Sequence, residues 1–524
     1  MTWGLRRIES SGMKRFLAII TIFAVSLVTG PAQADPADIS AASRSVVRVV
    51  LAAKDGNKVA FVGHGSGFAV APDKIVTNAH VVEIARQESS VVIGIIPSQG
   101  GISYGGRIIA YSPNNDLALI QVEDGGRLPP MAIFGGPVGD GADVVAIGYP
   151  GSVDRAQGLD LDDLINPMSP VKTRGTVSGG RTTKQFDTLL HTAPIASGNS
   201  GGPLIDNCGR VLGANSFGSI SDGNDAEFGF AVSAREILSF LRKAGVQVAA
   251  TATPCRSAAE ISLQEQQREV IARAKVAAAQ QIETAERQRV EAELRTTISQ
   301  DIIVERENQM AMAALLLFLA VTALGGSAYL FMQAKRNPAI GAAGLAGALV
   351  LGAVIIFLTR PSFTEIEDRV AATLDSDSNE DDGVQAIATA GNYQCRLAPE
   401  RSRITVSQVD ELSLKWGDGG CINGRTQYGR DGAKWSRIFV PNQEQTVTIS
   451  SFSPDRSEFT EERFLMGLDA MTKARAIRAQ YGNRACTTDS AALADIADMV
   501  KAIRAELPRQ ANESLVYECE KTRD

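Results

Sequence analysis

Two apolar segments, Met310 to Met332 and Ala339 to Leu358, constrain this chain more than anything else in it. Each is long enough to cross the hydrocarbon core of a bilayer, which takes roughly 20 apolar residues in a helix. They divide the 524 residues into a long part before and a shorter part after. The connection between them, Gln333 to Pro338, carries Lys335 and Arg336 and no acidic residue, so it is expected on the cytoplasmic side. Both flanking parts then lie outside the cytoplasm. Gly341, Gly344, Gly347 and Gly352 offer small faces for close packing of the two spans.

The N-terminus gives the same orientation independently. Lys14-Arg15 precedes an apolar run from Phe16 to Val28, and Ala32-Gln33-Ala34 follows, the order of a secretory signal. Residues 1–34 are therefore read as a signal peptide cut after Ala34, with Met13 an alternative start to Met1. In an oxidising compartment the six cysteines become bridge formers. Cys208 and Cys255 are a candidate pair, whereas the pairing of Cys395, Cys421, Cys486 and Cys519 stays open. No C-x-x-C or Cys/His cluster has metal-ligand spacing, so no metal is expected. A net charge of −7 without a basic stripe argues against a nucleic-acid partner.

Residues 35–253 read as short strands punctuated by Gly, Pro, Asn and Asp, among them Val46 to Leu51, Gly67 to Val70, Leu117 to Val122, Val171 to Val177 and Val211 to Ala214. A helix from Ser233 to Ala244 closes the region. So many short strands suit two small β-barrels better than one sandwich. Three polar positions stand out: His80 in Thr77-Asn78-Ala79-His80-Val81-Val82, Asp116 in Asn115-Asp116-Leu117-Ala118-Leu119, and Ser200 in Gly198-Asn199-Ser200-Gly201-Gly202-Pro203. A serine between glycines at a tight turn leaves its hydroxyl clear, and a base with an orienting carboxylate would complete a nucleophile set.

With Gly65-Ser66-Gly67-Phe68 before them and Phe228-Gly229-Phe230-Ala231-Val232 after, these motifs resemble the chymotrypsin-fold serine proteases, and most closely their HtrA (Deg) branch. The resemblance covers roughly Ala41 to Gly245 and implies an all-β double barrel acting on protein or peptide substrates without a cofactor. It implies Ser200 as nucleophile, His80 as general base and acid, Asp116 as orienter, and the backbone N–H groups of Gly198 and Ser200 as oxyanion hole. Asn199 replaces the acidic residue of zymogen-activated relatives, and Pro194 the acidic residue that selects Arg or Lys. Pocket walls are expected from Pro194, Ser197, Asn215, Ser216, Phe217, Phe228 and Phe230, favouring a small or medium apolar P1 residue. His191-Thr192-Ala193 departs from the branch's usual Thr-Asp-Ala, and His64 and His191 are read as structural. No PDZ module is evident.

Residues 254–309, without Gly and rich in Ala, Glu, Gln and Arg, read as a helical stalk or irregular coiled coil. After the spans (310–332 and 339–358, with the loop 333–338), residues 359–388 form an acidic linker and 389–524 a small α+β domain. That domain is expected to hold strands at Ile404 to Val409, Leu412 to Trp416, Ser436 to Val440 and Thr446 to Ser451, and helices at Thr460 to Ala479 and Ser490 to Glu506. The whole reads as a multi-pass protein of a bacterial inner membrane with its folded parts in the periplasm. Stalk and spans leave room for homo-oligomerisation. A catalytically silent sensor or scaffold is the rival reading, and it would ordinarily have lost one of the three polar residues.

Overall fold

The computed structural model describes residues 36–55, 58–182, 186–219, 227–363, 365–381, 390–407, 409, 411–417, 419–431, 434–481 and 485–522. The signal-peptide reading of residues 1–34 and part of the acidic linker lie outside them.

A short helix, α1 (Pro36–Ser43), leads into a closed six-stranded barrel. Its strands are β1 (Val46–Asp55), β2 (Lys58–Ala71), β3 (Lys74–Thr77), β4 (Val91–Pro97), β5 (Tyr104–Ser112) and β6 (Leu117–Val122), in the order β1-β2-β3-β6-β5-β4. Helix α2 (Ala79–Gln87) follows β3. Val47, Val49, Ile75, Ile95 and Ile120 fill the barrel with no more than trace exposure, because alternate side chains of each strand point inward.

The second barrel is built from β7 (Ile133–Phe134), β8 (Asp143–Gly148), β9 (Val171–Thr182), β10 (Asp187–His191), β11 (Pro203–Ile205), β12 (Val211–Gly218), β13 (Gly229–Ser233) and β14 (Ala250–Thr251). Pairing of β11 with both β8 and β12 closes it. Helix α3 (Gly151–Gln157), the single-turn α4 (Leu161–Leu164) and α5 (Ala234–Lys243) lie outside the strands. α5 is capped by the Ser233 hydroxyl on the Glu236 N–H and buries Ile237 and Leu241. The Cys208–Cys255 disulfide spans 47 residues and fastens the end of the domain to the β11–β12 turn. Closing a loop of that length contributes about 4 kcal/mol. Strand β5 was not anticipated: Gly105-Gly106 breaks the apolar run, and a glycine is what Ile120 and Ile95, packed on Gly106, require there.

The C-terminal region forms a nine-stranded antiparallel sheet. It comprises β15 (Gly391–Leu397), β16 (Leu412–Gly417), β17 (Cys421–Ile422), β18 (Thr426–Gln427), β19 (Gly429–Asp431), β20 (Lys434–Phe439), β21 (Thr446–Ser453), β22 (Glu458–Leu465) and a final strand after the helices. Disulfides Cys395–Cys519 and Cys421–Cys486 staple it. Two expectations are corrected here. Thr460 to Leu465 is strand, held between β21 and the final strand, and the helix begins only at Leu468 beyond a Gly467 cap. Residues 404–407 do not form a strand, because the buried Glu513 carboxylate accepts the N–H groups of Thr405, Val406 and Ser407 at 2.9, 3.2 and 3.1 Å. The sheet is completed by β23 (Glu513–Lys521), which lies between β15 and β22.

The protease region and the C-terminal domain fall in one compact unit, and a second unit is helical over its described residues 266–363 and 365–381. Helix α6 (Ala258–Met332) runs unbroken through stalk and first apolar segment, α7 (Arg336–Leu358) is the second, and α8 (Glu365–Asp381) is helical within the acidic stretch read as a spacer. Both apolar segments are long and apolar enough to cross a membrane, with mean hydropathy 2.0 and 2.4. Ala313, Ala320, Ala339, Ala346 and Ala353 are buried, and Ser327 Oγ on the first segment donates to the Ala339 carbonyl on the second at 2.7 Å. Nothing approaches within 4 Å of where a side chain would begin at Gly341, Gly344 or Gly347, whereas at Gly352 Leu316 Cδ1 of the first segment would lie 3.7 Å away. Helices α9 (Leu468–Ala479) and α10 (Ser490–Glu506) belong to the C-terminal domain and pack Met471, Ala474 and Ile503 against Val447, Ile449 and Phe464.

Candidate active site

His80 is the second residue of α2, just past the barrel strand β3. The side-chain amide of Asn78 donates to the Asp116 carbonyl at 2.9 Å and ties the start of that helix to the residue before β6. Asp116 itself has a left-handed backbone, φ 50°, after a short turn at Pro113–Asn115, a conformation Asp tolerates better than most residues. Both carboxylate oxygens lie 3.0 Å from His80 Nδ1, and one also accepts the His80 backbone N–H at 3.1 Å. The other accepts the Ser216 hydroxyl at 2.5 Å. Asp116 is thus largely shielded while the His80 ring stays half-exposed. A carboxylate fixed in this way selects the Nδ1–H tautomer and leaves Nε2 free to accept a proton.

Ser200 sits between β10 and β11 of the second barrel, on a turn that only glycine permits. Gly198 has φ 99° and Gly201 φ 85°. A Cβ on Gly198 would meet the Tyr149 carbonyl at 2.3 Å, and one on Gly201 would meet both the Ser66 carbonyl and Thr77 Oγ1 at 2.2 Å. The first barrel supplies the clamp. Ser66 N–H donates to the Ser200 carbonyl at 2.8 Å, and Ser66 Oγ donates to the Gly198 carbonyl at 2.7 Å while accepting the Tyr149 N–H. Among the described residues, no backbone carbonyl takes the N–H of Gly198 or of Ser200.

The three residues are therefore brought to one seam, but the set is not fully assembled. Ser200 Oγ donates to the Ser216 carbonyl at 2.9 Å and makes no hydrogen bond to His80 in this arrangement. Ser216 links all three: its hydroxyl bonds Asp116 and its carbonyl holds Ser200. The sequence reading assigned it to the pocket wall, and nothing in its local pattern marks it otherwise.

Of the other expected pocket residues, Phe217 and Phe230 stack with ring centroids 4.7 Å apart, and Phe217 is exposed. Pro194 and Ser197 are exposed, and Phe228 half-buried. Asn215, expected in the pocket wall, has no exposed surface, and its backbone accepts from Gly201 at 2.7 Å and donates to Gly202 at 2.8 Å, bracing the turn that carries Ser200. Below the turn, His64 Nε2 lies 3.0 Å from the Tyr149 carbonyl and 3.5 Å from Asp154, which pairs with the buried Arg48 at 2.8 Å. Burial and the neighbouring Arg48 hold His64 below its ordinary value, against the pull of the Tyr149 carbonyl and Asp154.

His191 packs over Gly229 with no exposed surface. Burial lowers it from 6.5 to about 4, although the Ala193 backbone and the Asn215 side chain favour the charged ring. The neutral ring therefore costs nothing above the unfolded value of 6.5, and the unfolded chain binds the extra proton as pH falls below it. Stability is full above that pH and is lost progressively down to about 4, by on the order of 3 kcal/mol. Urea unfolding of the full chain should show this fall between neutral pH and pH about 4, and His191→Leu should flatten it; an equal fall in the variant would assign the acid sensitivity elsewhere.

Residues 65–213 match the family model described as a trypsin-like peptidase domain. The chain is 33% identical over 235 residues to serine protease Rv3671c of Mycobacterium tuberculosis, covering 44% of this chain and 54% of that protein. It is 33% identical over 203 residues to human serine protease HTRA4, covering 38% of each. Over 176 residues it is 34% identical to the magnetosome formation protease MamE of Magnetospirillum gryphiswaldense, covering 32% of this chain and 20% of that protein. The chain thus spans about half or less of the length of these relatives. A crystal structure of the Rv3671c protease in its active form aligns at 28% identity and TM-score 0.32, covering 42% of this chain and 92% of that one. Residues 65–213 thus constitute a trypsin-like peptidase domain, homologous to the HtrA-type serine proteases.

Proposed function

We propose that the chain is a membrane-anchored serine endopeptidase working outside the cytoplasm, with Ser200, His80 and Asp116 as its catalytic residues. The observation that carries this is the Asp116 carboxylate, held by the Ser216 hydroxyl and by two groups of His80, while the Ser216 carbonyl holds the Ser200 hydroxyl. Rotation of the Ser200 side chain away from the Ser216 carbonyl delivers Oγ to His80 Nε2. Such a bond commonly tightens only when substrate binds. Oγ then attacks the scissile carbonyl carbon as its proton passes to His80. The oxyanion accepts from the N–H groups of Gly198 and Ser200, each worth about two to three orders of magnitude in rate. The C–N bond breaks as His80 returns the proton to the leaving amine, and water releases the acyl group by the same route.

Phe217, exposed and stacked on the half-buried Phe230, favours an apolar P1 side chain. The two apolar helices and the positive loop between them support anchoring in a bacterial inner membrane, with substrates reached at the periplasmic surface. Envelope quality control or regulated proteolysis fits that setting. A fluorophosphonate probe should label the full chain, and Ser200→Ala should abolish labelling. Folded wild-type protein that takes no label would favour the silent-sensor reading.

A further inference from the structure

Cross-strand neighbours put Phe439, Thr448 and Arg463 in one row across β20, β21 and β22, with Ser450 opposite Glu461 and Thr446 opposite Leu465 on the same face. The reverse face, with Val447, Ile449 and Phe464, is covered by α9 and α10. The first face looks instead across a cavity of about 760 Å³ toward α1, Arg44 and the 127–132 connection between the two barrels. That volume is in the range of small-molecule sites. Val70, Pro72, Leu128, Pro130 and Val248 supply apolar walls.

The charges lining the cavity are not all matched. Arg463 pairs with Glu461 at 2.9 Å and Glu513 at 3.3 Å, and Asp38 pairs with Arg403. Glu444 is exposed to solvent. Arg44 donates only to the carbonyls of Leu465, at 2.5 Å, and Ser40, at 3.3 Å, and among the described residues no carboxylate lies within ion-pair distance of it. Arg127, exposed on the same cavity, also has no such partner among the described residues. A guanidinium has five N–H donors, so most of those on Arg44 remain for a ligand. Burial pushes Arg44 down to about 10, the mark of a cation lacking its counter-charge. A planar carboxylate is the group that a guanidinium fork fits best.

We propose that this cavity binds a small monocarboxylate with an apolar body, its carboxylate on Arg44 and its body against Leu128, Val248 and Phe439. The site is separate from Ser200 and needs no proteolysis, so it can be tested in the Ser200→Ala full chain held in nanodiscs. Calorimetric titration with phenylbutyrate should show saturable binding, and its neutral amide should bind at least about tenfold more weakly. Arg44→Gln should weaken phenylbutyrate by a similar factor without changing the amide. Thr448→Trp, which fills the cavity and keeps a strand-favouring residue, should abolish both. Absence of saturable phenylbutyrate binding, or binding that is unchanged in both variants, would overturn the proposal. Circular dichroism and a retained thermal transition show that each variant has folded.

Discussion

Asp116→Asn is expected to lower kcat by about four orders of magnitude while leaving KM nearly unchanged. The carboxylate serves three donors at once: His80 Nδ1–H, the His80 backbone N–H and the Ser216 hydroxyl. An amide has one acceptor oxygen for them, and its NH₂ group turned toward the ring stabilises the tautomer in which Nε2 carries the proton. That tautomer cannot take the proton of Ser200. Steady-state hydrolysis of a peptide substrate, with fluorophosphonate labelling rate as a second readout, measures the effect. A loss of less than tenfold in both would remove Asp116 from the role given to it.

The second large effect concerns stability. Asp38→Ala should destabilise the unit formed by the protease and C-terminal domains by about 3–5 kcal/mol, the usual result of stripping one partner from a buried ion pair. Asp38 on α1 and Arg403 in the C-terminal domain are both almost fully buried, and Asn512 donates to the second Asp38 oxygen at 2.7 Å. Arg403 also donates to the carbonyls of Arg256, at 2.9 Å, and Asn512. Without the carboxylate this guanidinium stays buried with only neutral acceptors. Scanning calorimetry of the full chain should show the lowest transition moving down and the two domains melting separately. The double variant Asp38→Ala, Arg403→Leu should recover part of the loss, because the unpaired charge is then gone. An unchanged melting profile for Asp38→Ala would mean that the pair does not hold these domains together.

Much of the site was legible because its parts are local. Glycines at 198, 201 and 202 announce a turn that no side chain fits, and Ser200 is the serine they frame. Helix α5 was readable from Ser233 and the amphipathic run behind it. The Cys208–Cys255 bridge could be named because the other four cysteines lie far downstream. The bonds of Ser216 to Asp116 and Ser200 were not legible, because those partners are 100 and 16 residues away and its neighbours Asn215 and Phe217 suggest only a strand end. The same holds for Thr460 to Leu465, whose charged, helix-compatible residues are held extended by strands on either side.

The sequence alone determined the order of the parts, the strand-rich character of residues 35–253, the two apolar helices and which three polar residues could cooperate. These follow from composition, period and turn chemistry, which act over a few residues. Tertiary structure decided that Ser216 joins Asp116 to Ser200, that the first barrel's Ser66 clamps the second barrel's Ser200 turn, and that Arg44, next to α1, donates to the Leu465 carbonyl of the C-terminal sheet. Each of those contacts joins segments far apart in the chain. Packing and the need to satisfy buried polar groups choose such partners, and neither is written in any local stretch.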